Sequence, residues 1–143
     1  MDLVDCLPHQ PPMRLLEQVV EFTRGESATG QRIAHAEDFY FQGHFPGRPV
    51  VPAIILIELI AQTGGIAVAA PGPDPSTAER PQLRVAAVGP FKFPAAAGPE
   101  ANLQARVRVV RRMGGLFKIE GEVTADGVVV AAGSVTLAES GPS

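Results

Sequence analysis

The chain has 143 residues, 45% of them hydrophobic and 19% charged, with one cysteine and a formal net charge of −3. That length suits one domain with a real core, and that balance excludes a disordered chain. The mild acidity argues against a nucleic-acid partner, and a lone Cys6 cannot close an internal disulfide, which fits a reducing compartment such as the cytoplasm.

The opening stretch MDLVDCLPHQPP has early acids and no apolar run, so it is not expected to act as a secretory signal. Arg14 to Ala34 mixes β-branched and polar residues around Gly25 and Gly30, which predicts strand, turn and strand. HAEDFYFQGHFPGRP, His35 to Pro49, is too rich in aromatics, Gly and Pro for a regular element and reads as an ordered loop. From Pro52 to about Ala69 the chain is apolar on nearly all sides, which predicts a buried helix, with Pro52 in its first turn and Gly64–Gly65 able to end or kink it. Pro52, Glu58 and Gln62 interrupt this run, so it is not expected to span a membrane.

Ala70 to Gln82 is dense in Pro and polar residues and reads as an exposed connection. Strands are expected at Leu83 to Phe93, Asn102 to Met113, Leu116 to Thr124 and Gly127 to Leu137. Gly114–Gly115 and Asp126–Gly127 mark hairpins between the last three. In LQARVRVV, Ala105, Val107 and Val109 alternate with Arg106, Arg108 and Val110, the pattern of a half-buried antiparallel strand. The whole reads as α+β: one domain, residues 1–139, in which an antiparallel sheet wraps one long central helix, and a loose C-terminal tail, 140–143.

The chain has no G-x-S-x-G elbow, no phosphate loop and no paired cysteines, and His9, His35 and His44 lack metal-ligand spacing, so no metal site is expected. What stands out is His44, in a loop stiffened by Phe45, Pro46 and Pro49 between Gly43 and Gly47, and Glu58, inside the apolar helix. A rigid loop holding one histidine suits a general base. The bland alternatives are a loop histidine satisfied by carbonyls and, for Glu58, a core carboxylate paired to an arginine such as Arg14 or Arg48, or a helix not buried on that face. Gln62 lies one turn beyond Glu58 on the same face, making a small polar stripe. A base and an acid in an apolar pocket suit proton abstraction beside a carbonyl with loss of a leaving group.

GHFPGRPVVP followed by LIELIAQTGG resembles the active-site signature of the 3-hydroxyacyl-[acyl carrier protein] dehydratases, hot-dog-fold enzymes of fatty acid synthesis. LPHQPPMRLLEQV resembles that family's opening strand and RRMGGLFKIEGEVTADGVVVAAGSVTL its closing hairpins. The resemblance implies catalytic roles for His44 (base) and Glu58 (acid), with Gln62 holding the acid. It implies a cytoplasmic homodimer, in this family often assembled further into hexamers, whose sites take His44 and Glu58 from different subunits. The implied substrate is a (3R)-hydroxyacyl thioester on the phosphopantetheine of an acyl carrier protein, with no metal or soluble cofactor. Substrate contacts are expected at Gly43, Phe45, Ala53, Ile54, Ile57, Gln62 and Phe91, and carrier docking at Lys92, Arg111 and Arg112. Ala53 stands where the family commonly has glycine, Gln18 where it has arginine, and FKFPAAAGPEANL replaces a basic Gly-Asp-containing segment. These departures leave the carrier and chain length open and lean toward a specialised pathway of polyketide or aryl-polyene type. The same fold also carries thioester hydrolases and could serve as a non-catalytic acyl-binding subunit. A hydrolase would leave His44 without a purpose, and a binding subunit would need neither residue.

Overall fold

The computed structural model describes residues 2–69 and 82–139. Its elements run from a 3-10 turn Leu3–Cys6 through β1 Gln18–Thr23, β2 Ser27–Ile33, a second 3-10 turn Phe39–Phe41 and α1 Ala53–Ala69 to four strands. These are β3 Leu83–Lys92, β4 Asn102–Met113, β5 Leu116–Ala125 and β6 Val128–Glu139. All six strands form one antiparallel sheet in the order β1-β2-β4-β5-β6-β3. The sheet curls round α1, which packs chiefly on β4, β6, β2 and β5. This is the hot-dog arrangement expected. The expected 140–143 tail and nearly all of the Ala70 to Gln82 connection lie outside the described residues.

The hairpins follow from their turn residues. Asp126 and Gly127 both have positive φ, 50° and 88°, as a two-residue turn matched to strand twist requires. Alternation then sends Leu103, Ala105 and Val107 of β4 inward against Ile119 and Val123 of β5, all 2% exposed or less. Arg106 and Arg108 point to the outer face, as their pattern predicts.

Two expectations for α1 need correction. Gly64–Gly65 do not end it; the helix continues to Ala69. Gly64 is there because β5 is close: an added Cβ would lie 3.0 Å from the Ile119 side chain. Packing thus outweighs the weak helix propensity of glycine. Nor is α1 buried all round. Ile54 is 73% exposed, Ala53 is exposed, and Ile57 and Glu58 are half-buried, so one face of the first two turns escapes the sheet. β3 is also uncovered: among the described residues it pairs only with β6, and it exposes Val85 and Val88. No helix among the described residues is long and apolar enough to cross a membrane.

Candidate active site

The loop that carries His44 is fixed at both ends. Before it, Arg32 at the end of β2 donates two hydrogen bonds to the Asp38 carboxylate and one to the carbonyl of Leu15, while the Tyr40 hydroxyl donates to Asp38 at 2.6 Å. Burial works against the Arg32 charge, but the bonds to Asp38 and Tyr40 outweigh it and push the guanidinium pKa up. Burial and Asp38 push the Tyr40 phenol up too, so it stays a donor. After it, the Val51 N–H donates to the Ala97 carbonyl, and α1 starts.

Between these anchors Gly43 and Gly47 adopt φ of +77° and +76°. Those values favour glycine and let the chain fold back on itself. The N–H of Phe45 and of Arg48 each donates to the other's carbonyl, and the Val50 N–H donates to the His44 carbonyl. The His44–Phe45 peptide is cis, and the two rings stack with centroids 4.1 Å apart. Within this loop His44 Nδ1 lies 3.0 Å from the Val50 carbonyl oxygen. A carbonyl only accepts, so Nδ1 carries the hydrogen and Nε2 keeps its lone pair. That is the tautomer a base needs.

The carboxyl of Glu58 emerges on the open face of α1 with its side chain 25% exposed. Gln62 Nε2 donates to Glu58 Oε2 at 3.0 Å and to the Met13 carbonyl at 2.7 Å, while Gln62 Oε1 accepts from the Leu15 N–H at 2.9 Å. Gln62 is 1% exposed. It is therefore a buried clamp between helix and N-terminal segment, and the Leu15 bond fixes which end of the amide faces Glu58. Glu58 is paired to neither Arg14 nor Arg48 among the described residues; Arg14 pairs with Asp5. Ala53 and Ile54 open the same face, at the helix end where N–H groups have no intrahelical partner.

Glu58 lines a cavity of about 310 Å³ with His9, Leu7, Ala61, Gln62 and Val85. His44 is not among its lining residues. Two clusters result: a histidine loop with Gly43 and Phe45, and a helix face with Ala53, Ile54, Ile57, Glu58 and Gln62. Phe45 is 55% exposed. Phe91 sits apart on β3, stacked on Phe93 at 5.8 Å. A larger trough of about 1000 Å³ crosses the outer face of the sheet past Lys92, Arg106, Lys118 and Glu120. It holds neither His44 nor Glu58, so the smaller cavity is the better placed for acid–base chemistry.

The basic residues expected to dock a carrier do not form one patch. Lys92 lies in the row Arg106–Glu122–Ala132–Lys92, whereas Arg111 stands opposite Lys118, five residues further along β4. At about 3.3 Å per residue the rows are roughly 16 Å apart. Arg112 is engaged elsewhere: it donates to the Gly25 carbonyl and lies 5.6 Å over the Phe117 ring. His9 is the residue that sequence reasoning missed. It was set aside with the other histidines for want of metal spacing, yet its Nε2 lies 3.7 Å from Glu58 Oε2.

Residues 7–134 match the FabA-like domain family. The 3-hydroxyacyl-[acyl-carrier-protein] dehydratase FabZ of Myxococcus xanthus is 34% identical over 92% of this chain and 85% of its own length. The FabZ of Oceanobacillus iheyensis is 32% identical over 94% of this chain and 93% of its own. Among solved structures, the dehydratase heterocomplex ApeI:P from Xenorhabdus doucetiae superposes with a TM-score of 0.76 at 18% identity, over 98% of this chain and 91% of that one. A hypothetical thioesterase with coenzyme A from Streptococcus pneumoniae gives 0.64 at 13% identity, over 87% and 85%. At such identities the two structures establish the hot-dog fold and nothing finer.

Proposed function

The chain belongs to the FabA-like domain family, and from that premise we propose that it is a 3-hydroxyacyl-[acyl-carrier-protein] dehydratase of fatty acid biosynthesis. It converts a (3R)-hydroxyacyl thioester, held on the phosphopantetheine of an acyl carrier protein, to the trans-2-enoyl thioester. The observation that carries this reading is its likeness, over more than nine tenths of its length, to known dehydratases.

His44 Nε2 takes the proton from C2, which the thioester carbonyl acidifies. The C2–H electron pair becomes the C2–C3 double bond as the C3–O bond breaks. Glu58 gives its proton to the departing hydroxyl, so one water leaves, and proton exchange between His44 and Glu58 through solvent resets both groups. The Nδ1–H bond to Val50 supports the role of His44, because it strengthens as the ring gains charge. Backbone N–H groups at Ala53 and Gly43 polarise the thioester oxygen, aided at Ala53 by the helix dipole. Ile54 and Ile57 flank the acyl chain. No metal or soluble cofactor takes part.

The working unit is a homodimer, in which His44 of one subunit meets Glu58 of the other. Three features among the described residues support this: a Glu58 cavity that His44 does not line, a β3 edge strand with exposed Val85 and Val88, and exposed Phe45 and Ile54. The acidic carrier docks on exposed basic residues, Arg111 foremost, in the cytoplasm. Ala53 and the replaced 91–103 segment tune the enzyme to a specialised, polyketide-like acyl chain.

The test follows carrier-bound 3-hydroxyacyl thioesters by mass, with His44→Ala and Glu58→Gln beside the native protein. Native protein should remove one water and each variant should not. Refolding the two variants together should restore about one quarter of native activity, since half the dimers are mixed and each holds one complete site of two. Release of free thiol would point to hydrolysis instead, and unchanged mass at every chain length would refute the dehydratase reading. Restored dehydration without subunit mixing would refute the shared site.

A further inference from the structure

We propose that His9 is a positioning residue for Glu58: its Nε2–H joins Gln62 in holding Oε2, and so turns Oε1 toward the reacting hydroxyl. The proposal rests on the dehydratase reading and adds to it a third residue, from the N-terminal segment.

Both donors face the same oxygen. Gln62 Nε2 is 3.0 Å from Glu58 Oε2 and His9 Nε2 is 3.7 Å from it. No described residue hydrogen-bonds Oε1. The carboxyl is thus held on one side and free on the other, the arrangement a directional proton donor needs.

The backbone that carries the imidazole is held in place. Arg14 Nε donates to the His9 carbonyl at 3.0 Å, and its Nη1 pairs with Asp5 at 3.1 Å, which ties the His9 backbone to the first turn of the chain. On the other side Gln62 binds Met13 and Leu15. The segment that carries His9 is therefore fastened at both ends to the helix or to itself, and the ring lies in the cavity wall beside Glu58.

The tautomer follows from the two ring nitrogens. His9 Nδ1 is shielded from solvent and has no hydrogen-bond partner among the described residues. Nδ1 is left unsatisfied with or without a hydrogen, so it is Nε2 that decides where the hydrogen sits. On Nε2 it faces the carboxyl oxygen Oε2 of Glu58. His9 thus acts as a donor to Glu58. At 3.7 Å the pair stands within ion-pair range and beyond hydrogen-bond range, so the positioning role requires the contact to shorten in the substrate complex.

His9→Ala should lower kcat about ten-fold, which corresponds to about 1.4 kcal/mol, with KM within about two-fold. His9→Gln keeps an N–H donor at the end of the side chain and should recover most of the loss. In a Glu58→Asp background the carboxyl draws back from His9, and His9→Ala should then cost no more than about two-fold. A purely structural role would lower both backgrounds equally, and His9→Gln would not rescue it; either result overturns the proposal, as does a KM effect without a kcat effect. Long-range proton–nitrogen NMR of the imidazole is the readout that needs no turnover. The Nε2–H tautomer, with a resonance that moves in Glu58→Asp, is expected; an Nδ1–H tautomer refutes the contact. Native protein that shows this signature yet leaves 3-hydroxyacyl thioesters unchanged refutes the dehydratase reading and, with it, the catalytic purpose of the contact.

Discussion

Replacing Gln62 by leucine should separate what this residue does for the fold from what it does for the site. Gln62 is 1% exposed and makes three hydrogen bonds, but they differ in what replaces them. Leu15 is fully buried, so in Gln62→Leu its N–H is left without a partner, at about 1–3 kcal/mol. Met13 is exposed and its carbonyl can turn to water, so that loss is close to nil. Glu58 is 25% exposed and also finds water, so the stability cost is again small but its orientation is lost. Leucine fills similar space and offsets part of the cost by burying apolar surface. The net is about 1–2 kcal/mol, or a Tm lower by about 3–6 °C at fixed protein concentration. Activity should fall further than stability, by about 10- to 100-fold in kcat, because the acid is no longer aimed. Thermal melts and steady-state kinetics on the same preparations decide it. An unchanged Tm would refute the Leu15 argument; a lowered Tm with native kcat would show that Gln62 only fastens the N-terminal segment.

Gly121→Ala tests close packing: the new Cβ would lie 2.9 Å from both Ile60 and Val107 side chains and 3.3 Å from the Arg106 carbonyl oxygen. Reduced unfolded-state entropy contributes about 0.4–1 kcal/mol in its favour, but overpacking costs about 1–3, so a lower denaturant midpoint is expected and a higher one would contradict the geometry. The Glu17–His35 contact at 2.7 Å should give stability a pH window. Burial opposes the Glu17 charge, but the Ile33 N–H and His35 outweigh it and hold its pKa below 4.5, while the bond to Glu17 holds that of His35 above 6.5. Glu17 therefore contributes fully above pH 4.5 and less as pH falls through its lowered value; His35 contributes fully below pH 6.5 and less as pH rises through its raised one. The Tm difference between native and His35→Gln should be largest between those limits and shrink on both sides; a flat difference would show that the pair does not couple. Val88→Lys places a charge on the β3 edge and should halve the sedimenting mass and abolish dehydration with the fold retained; an active protein of unchanged mass would exclude that edge as the dimer seam.

Strands were legible because each fact that fixes them is local. Alternation in β4, two glycines after Met113 and Asp126–Gly127 set faces and turns without reference to the rest of the chain. The helix was legible as a helix, but not in where it stops or which side stays open. Gly64 reads as a breaker until Ile119 is known to lie against it, and Ile54 reads as core until the sheet is seen to leave that face bare. Both facts depend on contacts between residues far apart in sequence. His9 was illegible for the same reason: nothing in its spacing ties it to Glu58, and only the folding of the N-terminal segment across α1 does so.

The polar stripe on α1 is tolerable because it lies where the sheet does not close. A carboxyl facing β4 or β5 would meet Val107 or Ile119 and lose its water without compensation. On the open face, Glu58 keeps part of its hydration, takes a neutral donor from Gln62, and faces His9 across the cavity wall. The same bare face exposes Ile54 and stands beside the β3 edge strand, so the place where the acid is tolerated is also where one chain has most apolar surface left to cover. Covering that surface with a second copy would remove water from Glu58 at the moment a base arrives opposite it. Stability of the assembly and preparation of the acid are then consequences of one burial event, so variants that weaken β3 pairing should lose turnover at protein concentrations where each chain is still folded.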